Sequence, residues 1–170
     1  SFNVVRMQEG TLQGTPPAEI LNFGMEVNDL LMANSALNTN LDNAKKKVAA
    51  MRKALSVVDT QNDKLYNDIY KVKIELDNIE AKLRGNTSKK EIGEKNDPTI
   101  SGRIWGAIGG LQNTTYGPTQ TQRMNFDIAK VEFGEVKALV VDIVDNQIPK
   151  LELLLMETGA PWIEGQPIPE

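Results

Sequence analysis

The sequence predicts an all-α fold: an antiparallel helical bundle of three long helices plus one short helix, with a short N-terminal strand segment ahead of it. Two observations carry this reading. Apolar residues recur at alternating steps of three and four along most of the 170-residue chain, the spacing of a helix that buries one stripe. Between those stretches lie clusters of Gly, Pro, Asn and Asp that stop helices and turn the chain. A chain of this length can bury one sizeable core. Residues 15–170 are therefore read as the bundle with an extended C-terminal tail, and residues 1–14 as a linker or the end of a preceding β domain.

Ser1–Gln8 alternates as a strand does, Phe2 and Val4 to one side, Val5 and Met7 to the other, before Gly10 and Gly14. A lone strand leaves both edges unpaired. It either pairs with strands outside this sequence or lies on the bundle, and the first is preferred.

Helix one is expected near Ala18, with Thr15 as its cap, Pro16 and Pro17 in its first turn and Glu19 at its positive end. Its inward positions are Ile20, Phe23, Val27, Leu30, Asn34, Leu37, Leu41, Ala44, Val48, Met51, Leu55 and Val58. All but Asn34 are apolar, so this is a heptad seam. A buried Asn in such a seam can fix the register of a coiled coil; alternatively the seam is locally wet there, or Asn34 bonds to neighbouring backbone. Asn34, Ser35, Asn38, Thr39, Asn40 and Asn43 are poor helix formers and would permit a bend. The seam keeps its phase across them, so one helix of about 60 Å is expected.

Asp59–Asp63 reads as a turn, making helix two the antiparallel partner of helix one. Its seam is Leu65, Ile69, Val72, Leu76, Ile79 and Leu83, and Gly85 stops it. Residues 85–99 are expected to form a mobile surface loop. A short helix follows over Ser101–Leu111 with Ile104, Ile108 and Leu111 inward; its Gly102, Gly106 and Gly110 either allow close approach or mark a weak helix. Thr119 and Gln122 spell a capping box for helix four, whose inward side is Phe126, Phe133, Val136, Val140, Ile143, Leu151 and Leu154. Pro149 removes one backbone donor and should kink it. Gly159 should close it, and Trp162 in the tail should pack back as a clasp.

The chemistry excluded is more definite than the chemistry implied. The chain has no Cys and no His, which removes thiolate nucleophiles, imidazole bases, the usual zinc ligands and disulfides. A net charge of -4 favours neither nucleic acid nor acidic membranes. Residues 124–170 hold 3 basic and 9 acidic side chains, which argues further against phosphate backbones. No apolar run of about 18 residues could span a bilayer. Ser1 follows no basic-then-apolar leader, so any signal peptide is expected to be absent or already removed.

Carboxylates pair at helical spacing in Glu132 with Glu135 and Asp142 with Asp145. Bundles that hold metals this way add an inward His, so these acids read as solvated. Lys45, Lys46 and Lys47 point about 100° apart on a helix and do not make one anion site; with Arg52 and Lys53 they suit the negative end of helix one. Tyr66, Tyr70, Tyr116 and Trp105 read as core or rim. Asn86-Thr87-Ser88 and Asn113-Thr114-Thr115 match the glycosylation pattern, a short signal. No catalytic, cofactor-binding or metal-binding residue is assigned.

Two stretches carry a resemblance: Pro118-Thr119-Gln120-Thr121-Gln122-Arg123 opening helix four, and Ile148-Pro149-Lys150-Leu151 with Gly159-Ala160-Pro161-Trp162 ending it. With Phe2-Asn3-Val4 ahead of a long helix, the chain resembles the C-terminal helical region of bacterial sortilin-like, BNR-repeat β-propeller proteins, often labelled glycosyl hydrolases. The resemblance implies a propeller upstream and export to the periplasm or cell surface. It transfers no functional residue. The expected role is a non-catalytic structural or interaction module whose partners are upstream domains or other subunits. The alternatives are a carbohydrate-binding accessory domain and a self-associating coiled coil.

Overall fold

One helix, α1 (Pro17–Leu55), runs unbroken for 39 residues, about 58 Å at 1.5 Å per residue. The computed structural model describes residues 13–58, 62–95, 97–114 and 116–166; the expected strand at Ser1–Gln8 lies outside them, as do residues 59–61 of the expected turn. Along α1 the seam turns inward as its spacing requires. Phe23, Val27, Asn34, Leu37, Leu41, Ala44, Val48, Met51 and Leu55 are all buried. The polar stretch over 34–43 does not interrupt the helix. Thr15 does not cap it: the cap position is Pro16, and no side chain bonds there.

The remaining helices are α2 (Asp63–Arg84), a single turn α3 (Thr87–Glu91), α4 (Ile100–Gln112), α5 (Gln120–Asp142) and α6 (Ile148–Glu157). Among the described residues there is no strand. Local chemistry sets the helix starts. Asn62 accepts from the Leu65 amide at 3.0 Å and Thr99 from the Gly102 amide at 3.0 Å. Thr119 and Gln122 form the reciprocal capping box, as their spacing predicts. The loop expected over 85–99 contains α3, because Asn86 accepts from the amides of Ser88 and Lys89 and so caps a turn of helix.

Cross-helix contacts fix the directions. Arg84 meets Asp42 while Arg52 lies over Tyr70, so α2 descends beside α1. Asn34 meets Ser101 and Gly24 lies near Leu111, so α4 continues that descent. Phe23 meets Phe126, Glu26 meets Lys130 and Lys47 meets Glu152, so α5 and α6 ascend parallel to α1. The molecule is thus an up-down-up bundle of three rods. The middle rod is split into α2 and α4, and α3 lies in the connection between them.

This explains the one polar residue of the seam. Asn34 lies opposite the start of α4 and Asp42 opposite the end of α2, so α1 between them faces the break. Asn34 is 6% exposed; its amide donates to the Ser101 hydroxyl at 3.1 Å, and Asn38 donates to the Asn34 carbonyl at 2.8 Å. The Ser101 hydroxyl at the start of α4 finds in the Asn34 amide a donor that Leu could not supply.

Helix four departs from its expected course at Pro149. Ile143–Gln147 is a π-helical turn: the Ile148 amide reaches back five residues to the Ile143 carbonyl. Such a turn inserts one residue into the helical phase. Downstream inward positions therefore move on by one, burying Ile148, Leu151 and Leu155 and leaving Leu154 exposed. The tail also differs from expectation. Trp162 is 52% exposed, and Ile163 is the residue buried against the bundle, held by a 3.0 Å bond from its amide to the Gln166 side chain.

Of Gly102, Gly106 and Gly110, the last is the closest approach to another element, while Gly102 lies close to its own cap Thr99 and Gly106 is open. The Gln122 side chain, folded back by the capping box, occupies the place of a Cβ at Gly110. Substituting Val48, 1% exposed, tests the inward assignment. Val48→Asp is expected to cost about 3 kcal/mol or more in urea denaturation by burying an unpaired carboxylate. Lys46→Glu, on the exposed side, should change stability by less than about 0.5 kcal/mol.

Candidate functional site

The parallel helices α1 and α5 leave a groove of about 320 Å³ between them. Its α1 wall is Ala33, Ala36, Leu37 and Asn40; its α5 wall is Phe133, Lys137, Val140 and Val141, continuing through Val144 and Asp145 of the π turn. Small side chains open it on the α1 side, and most of its lining is apolar. The π turn leaves the carbonyls of Val144 and Asp145 without their usual helical donors, since the Ile148 amide goes to Ile143 and Pro149 has no N–H. π turns concentrate at functional sites, so the groove and the turn that ends it form the best candidate on the molecule. Chemically it offers an apolar floor, one ammonium and one carboxylate.

The acids singled out in the sequence go elsewhere. Glu132 approaches Arg103 at 3.5 Å and shares a separate cleft with Glu135, Lys82 and Asp97. Asp142 accepts from Gln147 at 2.9 Å and Asn146 at 2.8 Å, and these bonds hold its carboxyl below the usual range. Only Asp145 of the four belongs to the groove. Among the described residues no three metal-ligating side chains gather. Trp105, Tyr116, Tyr66 and Tyr70 are all exposed, which places them at the rim and not in the core.

The three consecutive lysines diverge as helical geometry requires, but they do more than balance a dipole. Lys45 reaches α2, pairing with Asp77 at 2.8 Å and with Glu80. Lys47 reaches α6, pairing with Glu152 at 2.7 Å; Lys46 stays exposed. Lys45 belongs to a ladder across the α1–α2 face that runs Asp42, Arg84, Glu80, Lys45, Asp77, Lys73. The hydrogen bond from Arg84 lowers the Asp42 carboxyl. For Asp77 and Glu80 burial pushes upward, but the combined bonds from Lys45 with Lys73 or Arg84 outweigh it and both end low. Glu80 with Arg84 and Lys73 with Asp77 stand four apart on α2, but the pairs that join α1 to α2 lie far apart in sequence, so helical spacing alone could not find those.

A scan against protein-family models finds no match, and no curated protein or solved structure matches this chain.

Two outcomes follow from the charges. Glu152 is 8% exposed, so Lys47→Met should leave a buried carboxylate unpaired and cost about 3 kcal/mol in urea denaturation, against almost nothing for the neighbouring Lys46→Met. The depressed carboxylates of the ladder contribute stability that is present above their unfolded-state values and lost as pH falls through the folded ones. Stability should therefore decline below about pH 4. Arg84→Gln should shrink that decline, as measured by the urea midpoint at each pH.

Proposed function

We propose that this chain is a non-catalytic helical interaction module, which packs against or joins parts of a larger exported protein. The observation that carries the reading is the distribution of apolar surface. Leu21, Met25 and Met32 line the outer side of α1 at helical spacing, and Met124, Ile128 and Val131 do so on α5, all exposed. Outward apolar stripes on helices whose inner seams are already satisfied suit contact with another surface. Placement beside a β-propeller, and at the periplasm or cell surface, rests on the sequence resemblance alone. Any hydrolase activity of a parent protein is assigned to its other domains.

A second reading has its own observation. Trp105, Tyr116 and Trp162 are 61%, 44% and 52% exposed, as a carbohydrate-binding accessory domain would require. Self-association through the α1 seam is less well supported, because Asn34 bonds to Ser101 within the same chain.

Three measurements separate these readings. The chain should show no turnover of glycans or peptides; robust hydrolysis abolished by Glu132→Gln or Asp145→Asn would overturn the non-catalytic assignment. Tryptophan fluorescence should not respond to millimolar oligosaccharide, and quenching would favour the carbohydrate reading. The chain should sediment as a monomer with full helicity, whereas an oligomer that dissociates with loss of helicity would favour the coiled coil.

A further inference from the structure

The groove between α1 and α5 presents two holes that no helix among the described residues fills. On α1 its wall is Ala33, Ala36, Leu37 and Asn40, which stand at i, i+3, i+4 and i+7. On the facing wall Lys137, Val140, Val141 and Val144 repeat that spacing. Four residues so spaced surround the hole that receives one knob from a neighbouring helix. The floor of each hole is buried, at Leu37 and Val140, while its rim is open, at Ala33 and Ala36 on one side and Val141 on the other. An aliphatic knob in either hole would take that rim out of water.

Direction and charge narrow the occupant. Both walls ascend, so a helix running down between them would restore the alternation of an up-down bundle. Among the described residues neither Lys137 nor Asp145 has an ion-pair partner, and they lie about two helical turns apart along one wall. Beside Asp145, the Val144 carbonyl lacks both its α-helical and its π-helical donor. The Ile148 amide goes to Ile143, and Pro149 has no N–H. The end of the groove toward α6 therefore offers acceptors without donors, and its middle offers an ammonium without an acid.

We propose that this groove binds an amphipathic α-helix of another polypeptide, antiparallel to α1 and α5. Aliphatic knobs of that helix at three-four spacing fill the two holes. A Lys or Arg on it meets Asp145 and the Val144 carbonyl, and an Asp or Glu two turns further along it meets Lys137. The inference deepens the interaction-module reading and rests on it, but it needs neither outer apolar stripe.

The probe is a synthetic peptide of about 20 residues with Leu at three-four spacing and Arg two turns ahead of Glu. It is titrated into the full chain, with methyl resonances locating the site and fluorescence anisotropy giving the affinity. Saturable binding should make the peptide helical and shift the methyls of Ala33, Ala36 and Val140. A peptide with Arg and Glu exchanged should bind about tenfold more weakly at low salt. Lys137→Glu combined with Asp145→Lys, two exposed positions, should reverse that preference. Ala36→Trp, which fills the α1 hole from its exposed rim, should abolish binding of both peptides with the helical signal of the chain kept. Failure of both peptides to bind at millimolar concentration would overturn the proposal. So would a preference of the unaltered chain for the Glu-first order, or a preference that the double variant leaves in place. Shifts confined to Leu21, Met25 and Met32, or to Ile128 and Val131, would also overturn it, yet would leave the interaction-module reading standing with its contact on the outer stripes. Shifts at Ala33 and Ala36 on concentrating the chain alone would make a second copy the occupant and refute the one proposed.

Discussion

Every long element of this molecule leans on the seam of α1. The buried face of that helix touches α2, α4, α5 and α6 in turn, so its residues form a spine shared by the whole fold. Apolar burial of this kind is non-directional and would tolerate sliding. The charged pairs that flank it supply the missing direction. Asp42 with Arg84 and Lys45 with Glu80 set where α2 stands, while Lys47 with Glu152 sets where α6 stands. Single exposed ion pairs contribute little energy, but a mismatch in register would strand several of them at once.

The split in the middle rod has consequences along both neighbours. The buried apolar residues fall in two clusters: a large one that bridges the split, with Leu83 of α2 beside Ile100 and Ile104 of α4, and a smaller one of Phe23, Val27, Ala107 and Phe126 near the start of α1. Leu30 and Ile108 pack against both. At the level of the split, α1 carries Asn34 in place of an aliphatic seam residue. Asn34 answers the Ser101 hydroxyl that faces it, whereas Asn38, Thr39 and Asn40 donate to carbonyls of the preceding turn of α1 itself.

What the sequence could disclose followed from what is local. The three-four spacing located the buried faces of α1 and α2, and Thr119 with Gln122 located the start of α5. The expected buried position at Leu154 failed because a π turn shifts phase by one residue, and nothing in the composition of Ile143–Gln147 announces that turn except Pro149 just beyond it. The tail is anchored by Ile163 and not by Trp162, because the turn over 164–166 brings the Gln166 side chain to the Ile163 amide. The groove was not legible at all. It depends on Ala33 and Ala36 lying across from α5, and which helices run side by side is a long-range fact. Lys47 illustrates the same limit, since its partner Glu152 is over a hundred residues distant.

The functional account rests on α1 satisfying its seam within its own chain, which frees its outer side for contact. Native-state hydrogen exchange of the α1 amides at several protein concentrations tests that most directly. The account predicts strong protection along Leu37–Leu55, equal to that of α2 and α5 and unchanged by dilution. Protection that fades on dilution, or that is lost from Asn34 onward while α2 stays protected, would contradict it.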